Sequence, residues 1–148
     1  MRYMEQLSKL FKALSEPARL RIVNLLARRS LCVSDLQQLL AVSQPYVSGH
    51  LAFPRHAGLV RRMRREGREL YVLNLTMATY PFVSLVNELP SWKPELRADR
   101  EKLEQLELQG TLRADRCHRQ TAEPSRGRAA VEGKDPIPLA SLAAKQAA

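Results

Sequence analysis

Between Ser34 and Leu51 two helix-start signals lie so close together that few folds accommodate both. Ser34 with Gln37 three positions on fits a capping box, the Ser hydroxyl accepting from the amide at the third helical position while the Gln reaches back. This predicts a helix from Asp35 to Ala41. Ser43 is a second N-cap, and Pro45 falls in the first turn of the helix it opens, where a missing N–H leaves no bond unmade. The second helix therefore begins near Gln44. Leu36, Leu39, Leu40, Val42, Val47 and Leu51 let the two helices close on one small core. Gln44, Tyr46, Ser48 and His50 remain outward, and such hydrogen-bonding side chains on a presented helix are the type that reads base edges in the major groove. The pattern reads as a helix-turn-helix; the plainer alternative is a helical hairpin of a small all-α protein with its polar residues in water.

Charge favours the first reading. The 148 residues carry a formal net charge of +9. Arg55, Arg61, Arg62, Arg64, Arg65 and Arg68 face only Glu66 in the same span, so more than half of the excess follows directly on the second helix. A concentrated arginine patch suits phosphate neutralisation and the counterion release that accompanies it. A merely solvated patch is the alternative. No apolar stretch approaches the ~20 residues that span a bilayer, and the N-terminus lacks a signal-peptide core, so a cytoplasmic protein without a membrane partner is expected. Cys32 and Cys117 are the two cysteines. Two distant cysteines do not make a disulfide framework, and a reducing compartment leaves them as thiols.

Along the chain, Met4, Leu7, Leu10, Phe11 and Leu14 recur at helical spacing. Ser15 caps the next helix, with Pro17 in its first turn and Arg28 and Arg29 near its C-terminus. Leu31-Cys32-Val33 is a short apolar connector. Gly49 and Pro54 are locally unfavourable inside a helix, costing about 1 and about 3 kcal/mol relative to alanine, so a bend or stop is expected near Phe53, with a last turn from Arg55 to Ala57 and Gly58 as the C-terminal stop. From Leu59 the period changes to two, Arg65-Glu66-Gly67-Arg68 supplies a turn, and Leu70 to Leu75 returns: a β-hairpin with a basic tip. Thr76 to Leu89 is apolar and helical, with Thr79 as cap and Pro81 in the first turn. Pro94 to Gln109 forms a charged helix with a stripe at Leu96, Leu103 and Leu106, supported by Arg97–Glu101 and Arg100–Glu104 pairs, and packed on a neighbour or a second subunit. From Thr121 the composition is that of a flexible tail. The fold class is thus mainly α with a small β-hairpin wing, a dimeric winged helix-turn-helix. Its parts are a DNA-binding and dimerisation domain over residues 1–90, a charged helix over 91–110 and a tail over 111–148.

Leu14-Ser-Glu-Pro-Ala-Arg-Leu-Arg-Ile, Leu31-Cys-Val-Ser-Asp-Leu, Ser43-Gln-Pro-Tyr-Val-Ser-Gly-His-Leu, Ala57-Gly-Leu-Val and Arg65-Glu-Gly-Arg-Glu-Leu-Tyr, five motifs in order over residues 4–90, together resemble the ArsR/SmtB family of bacterial transcriptional repressors. The resemblance implies a homodimeric winged-helix repressor that leaves its operator when an inducer binds, often a metal or metalloid ion. It also implies that Met4–Leu14 and Met77–Leu89 meet across a two-fold axis. Three departures stand out. Arsenic-sensing members usually carry Cys where this chain has Ser34; members that bind zinc on the post-wing helix use Asp and His, whereas Met77–Leu89 offers only Glu88; and Gly49 and Pro54 replace a basic residue and a good helix former.

The leading functional expectation is a repressor of double-stranded operator DNA, read by Ser43, Gln44, Tyr46, Ser48 and His50 with Arg55, Arg64, Arg65 and Arg68 on the flanking backbone. A winged helix used as a protein-interaction module is the second class. An enzyme is the third and least supported, since none of His50, His56 and His118 lies in a nucleophile motif and no Gly-rich phosphate loop is present. No cofactor is required. For the inducer, Cys32 and Cys117 are candidate ligands of a thiophilic metalloid, As(III) or Sb(III), with His118 as an added nitrogen. Two alternatives stay open: a Cys32–Cys117 disulfide that locks the repressor off DNA, and two thiols that sense nothing.

Overall fold

The computed structural model describes residues 2–115. The elements run α1 (Arg2–Leu14), α2 (Pro17–Leu26), α3 (Val33–Leu40), α4 (Gln44–His56), β1 (Val60–Arg65), β2 (Arg68–Leu73), α5 (Tyr80–Glu88), a 3-10 turn (Leu89–Ser91) and α6 (Pro94–Leu108). The mainly helical chain with one antiparallel hairpin matches the expected class. The tail from Thr121, Cys117 and His118 lie outside the described residues.

Helix starts are where the sequence reading needs most correction. Ser15 does not cap α2: Glu16 holds that position with extended backbone and no side-chain bond, while the Ser15 hydroxyl donates to the Lys12 carbonyl at 2.8 Å. The Ser34–Gln37 capping box also fails, because α3 starts earlier, with Cys32 at its N-cap and Asp35 in its first turn. The Cys32 amide donates to Asp35 Oδ2 at 3.4 Å. A carboxylate outcompetes a hydroxyl at this end because it also meets the positive end of the helix dipole. Ser43 does cap α4, accepting from the Tyr46 amide at 3.4 Å, and Pro45 sits in the first turn.

No stop occurs near Phe53; α4 continues to His56 with Pro54 inside it. Pro54 lies so near the end that its missing N–H costs one bond, and its ring is buried. The amides of Gly58 and Leu59 then donate to Arg55 and Pro54 carbonyls, both at 3.0 Å. With Gly58 at φ +78° this is a Schellman stop, which only glycine makes without strain. Strands β1 and β2 pair from Val60↔Leu73 to Arg65↔Arg68. Their two-residue turn has Glu66 at φ 50° and Gly67 at φ 75°, the double positive φ whose twist matches a hairpin. Leu31 is more than a connector, since it exchanges backbone bonds with Tyr71 at 2.8 and 3.1 Å and adds one rung to the sheet.

One core joins Leu10 and Ala13 of α1, Ile22 to Leu26 except Asn24 of α2, Leu36, Leu39 and Leu40 of α3, Val47 and Leu51 of α4, Tyr71 and Leu73 of the hairpin and Phe82, Val83 and Val86 of α5. Leu103 and Leu106 of α6 and Leu112 beyond it belong to the same cluster. At about 1.5–3 kcal/mol for each fully buried leucine, they dock α6 on neighbouring helices of its own chain, α2 and α3, the first of the two packings expected for it. Polar contacts fix its register. Arg21 forks onto Asp99 with both bonds at 2.8 Å, and Lys102 donates to the Gln38 and Leu39 carbonyls at the end of α3. The expected Arg97–Glu101 and Arg100–Glu104 pairs do not form: Arg97 donates to the Pro90 and Ser91 carbonyls, and Arg100 to Asn87 and the Asn24 carbonyl. Leu112 and Ala114, which the sequence placed in the tail, are buried. α1, by contrast, leaves Tyr3, Met4, Leu7 and Phe11 exposed.

Candidate nucleic-acid interface

Helix α4 is held from below by Val47 and Leu51, both buried, and packs against α2, α3 and β1. The turn that presents it passes through Ala41 at φ 54°, a left-handed conformation that costs a side-chain-bearing residue roughly 1–2 kcal/mol. Ser43, Gln44, Tyr46 and Arg55 are exposed, and Ser48 and His50 partly so. The outward residues pair along the helix: Gln44 Nε2 donates to Ser48 Oγ at 2.9 Å, and the Tyr46 and His50 rings meet edge to face at 4.5 Å. Each pair is at i,i+4, the spacing that makes helix neighbours. The polar face is therefore pre-ordered, with donors and acceptors still free.

Arg64, Arg65 and Arg68 are exposed at the hairpin tip. Arg65 lies directly opposite Arg68 across the ladder, and like charges so placed repel. A polyanion laid against the tip relieves that repulsion. Arg68 is not wholly free, because its guanidinium donates to the Arg113 carbonyl at 2.9 Å. Arg62 is paired with Glu69 at 2.9 Å, which reduces its value to a phosphate.

Cys32 is half-buried, and its thiol donates to Asp35 Oδ2 at 3.1 Å. Burial, with the Asp35 carboxylate beside it, pushes the Cys32 thiol up to about 11. Asp35 is fully buried and also accepts from the Arg113 and Ala114 amides at 2.7 and 3.0 Å. One carboxylate thus caps α3 and the helical turn at residues 113–115 together. Arg29 reinforces the junction by bonding Glu107 at 3.0 Å and Asp115, so it is not a helix-terminus cation. Neither the Asp35 junction nor the ion pairs of Arg29 are signalled locally in the chain; Cys32-Val-Ser-Asp35 has capping-box spacing with Cys in the cap, but Ser34–Gln37 offers the more usual residues. Among the described residues no group of three or more His, Cys, Asp or Glu is placed to hold a metal ion.

A pre-ordered polar helix joined through a glycine stop to an arginine-tipped hairpin defines a winged helix-turn-helix. Comparison with known proteins agrees. Residues 16–62 match the family described as "Bacterial regulatory protein, arsR family". The chain is 33% identical over 106 residues to the "Arsenical resistance operon repressor" of Escherichia coli (strain K12), covering 71% of this chain and 80% of that protein. It is 43% identical over 67 residues to the "Transcriptional repressor SmtB homolog" of Synechocystis, covering 45% of this chain and half the length of that relative. Among solved structures it is similar to HlyU from Vibrio cholerae, with a TM-score of 0.52 and 30% identity over 58% of this chain and 92% of the other. The chain belongs to the ArsR/SmtB family of transcriptional regulators.

Proposed function

We propose that the protein is a homodimeric repressor that reads operator DNA with α4 and grips the flanking backbone with the hairpin tip. The carrying observation is the pairing of an exposed, pre-ordered polar face on α4 with a hairpin tip that sets exposed Arg65 opposite Arg68, next to exposed Arg64. Ser43, Gln44, Tyr46, Ser48 and His50 read base edges; Arg55, Arg64, Arg65 and Arg68 hold phosphates. The exposed apolar residues of α1, with Leu85 of α5, supply the two-fold contact, because a face of that size is seldom left to water. Among the described residues no helix is long and apolar enough to cross a membrane.

Release follows from events at Cys32, and the inducer is a thiophilic metalloid such as arsenite or antimonite. The relation to an arsenical resistance repressor supports this reading, as does the thiol's position. When the Cys32 thiol condenses with arsenite, an As–S bond replaces an As–OH bond and the thiol proton leaves with the hydroxide as water, so Asp35 loses that donor and gains a negatively polarised sulfur neighbour. Both α3 and the turn at residues 113–115 hang on the same carboxylate, so the start of the helix-turn-helix shifts. Cys32 supplies one sulfur; the second candidate, Cys117, lies outside the described residues. The raised thiol pKa bears equally on peroxide and on a metalloid, because the thiolate is both the nucleophile and the ligand, so the choice between them falls to the release assay. The test is release of a labelled promoter fragment by arsenite, antimonite and peroxide in wild type, Cys32→Ser and Cys117→Ser. Release by arsenite that both variants retain in full removes the thiol reading and leaves DNA binding standing.

A further inference from the structure

Away from α4 and the hairpin, the end of α2, the 3-10 turn and α6 border an open cleft of about 190 Å³ lined by Arg28, Pro90, Arg97, Arg100, Glu101 and Glu104. Arg100 is the unusual member. Its terminal nitrogen reaches only neutral oxygens, Asn87 Oδ1 at 2.9 Å and the Asn24 carbonyl at 3.5 Å, and its Nε is buried with no partner at all. Arg97 likewise spends its donors on two backbone carbonyls. Among the described residues, neither these two nor Arg28 forms an ion pair, although Glu101 and Glu104 stand in the same lining. Three guanidiniums thus line one space without a carboxylate partner; Arg28 and Arg97 are exposed, and Arg100, whose Nε is buried without a partner, is the one for which that state is costly unless something completes it.

We propose that this cleft is a binding site for a small oxyanion, a phosphate or a short carboxylate, held by Arg28, Arg97 and Arg100. The guanidinium fork matches the paired oxygens of either group, and Arg100 Nε supplies a donor already stripped of water. Burial and the neighbouring Arg28 charge hold the Arg100 guanidinium down at about 10, still cationic at neutral pH. The space is ample for a phosphate or a short carboxylate. Glu101 and Glu104 oppose any anion that enters and so weaken the site, leaving the three guanidiniums a net excess of one positive charge over the lining. The site is independent of the DNA-reading face. Its occupant ties the end of α2, which packs on α4, to α6, which grips α3 through Lys102, so binding here stiffens the scaffold of the helix-turn-helix.

The experiment is calorimetric titration of the full chain with inorganic phosphate and, separately, succinate, at fixed ionic strength against chloride. The wing contributes arginines of its own, so the titration is repeated in Arg64→Ala/Arg65→Ala. Saturable binding of phosphate or succinate should persist in that double variant. It should weaken about tenfold in Arg28→Gln, the loss of one charged hydrogen bond, and strengthen severalfold in Glu104→Gln. Both variants change exposed side chains, and circular dichroism verifies their fold. Whichever ligand saturates identifies the source of the oxyanion. Heats no different from chloride, or binding that vanishes with the wing arginines while Arg28→Gln keeps it, overturns the proposal.

Discussion

Asp35→Ala should be among the most destabilising substitutions in the described chain, whereas Ser34→Ala, one residue away, should cost little. Asp35 accepts from the Cys32 amide and thiol and from the Arg113 and Ala114 amides. Its loss leaves the buried Ala114 amide unpaired, at about 1–3 kcal/mol, and removes the cap of α3, at about 0.5–2 kcal/mol. Arg113 is exposed, so water replaces that bond. The total is about 1.5–5 kcal/mol, a large share of the 5–15 kcal/mol of a typical domain. Ser34 makes no capping bond, and its change to alanine should stay within about 0.5 kcal/mol. Urea unfolding followed by circular dichroism measures both, provided the slope is common to the variants. Trypsin should also cut faster after Arg113 in Asp35→Ala. Equal losses, or a larger loss for Ser34→Ala, would mean that the shared cap does not organise this end of α3.

Reciprocal substitutions on either side of the turn should both stabilise, each by about 0.5–1 kcal/mol in urea unfolding: Ala41→Gly relieves a left-handed alanine, and Gly49→Ala adds a methyl that meets nothing within 4 Å. Arg64→Ala and Arg65→Ala should each reduce the slope of log affinity against log salt on DNA by about one unit, and Arg62→Ala by less because Glu69 already holds it; an equal drop for all three counts against that ranking. In a Cys117→Ser background, alkylation of Cys32 should rise with pH until about 11 rather than the ordinary thiol value of 9.0. Because the folded pKa is the raised one, the stability linked to this thiol is present below its unfolded pKa and is lost as pH climbs through about 11. Leu7→Lys on the exposed face of α1 should convert dimer to monomer in analytical ultracentrifugation; an unchanged mass places the two-fold contact elsewhere.

Elements with strong local signals were legible in the chain. Ser43 with Pro45 marks α4, and Glu66-Gly67 between alternating residues marks the hairpin, because in each case two or three neighbours settle the backbone. Failures came where distant residues decide. Asp35 is chosen over Ser34 by amides 78 and 79 positions away. Arg97 and Arg100 abandon their helical i,i+4 glutamates for carbonyls and an amide on other elements, and no periodicity encodes that. Pro54 suggests a bend or stop only when interior propensity is applied to it; in the last turn one lost bond is tolerable, and the helix runs on to His56. Of the DNA-reading face, the outward residues were legible, but their pairing into Gln44–Ser48 and Tyr46–His50 was not.

If α4 reads sequence while the hairpin supplies charge, one titration separates the two. Fluorescence anisotropy of the full chain on its own promoter fragment and on a scrambled duplex, each across a salt series, should show binding to the promoter at least ~10³-fold tighter. Tyr46→Ala should cut that ratio by ~1–3 kcal/mol while leaving the slope on the scrambled duplex unchanged. Equal affinity for both duplexes, or a ratio indifferent to Tyr46, contradicts the assignment of α4 as the reader.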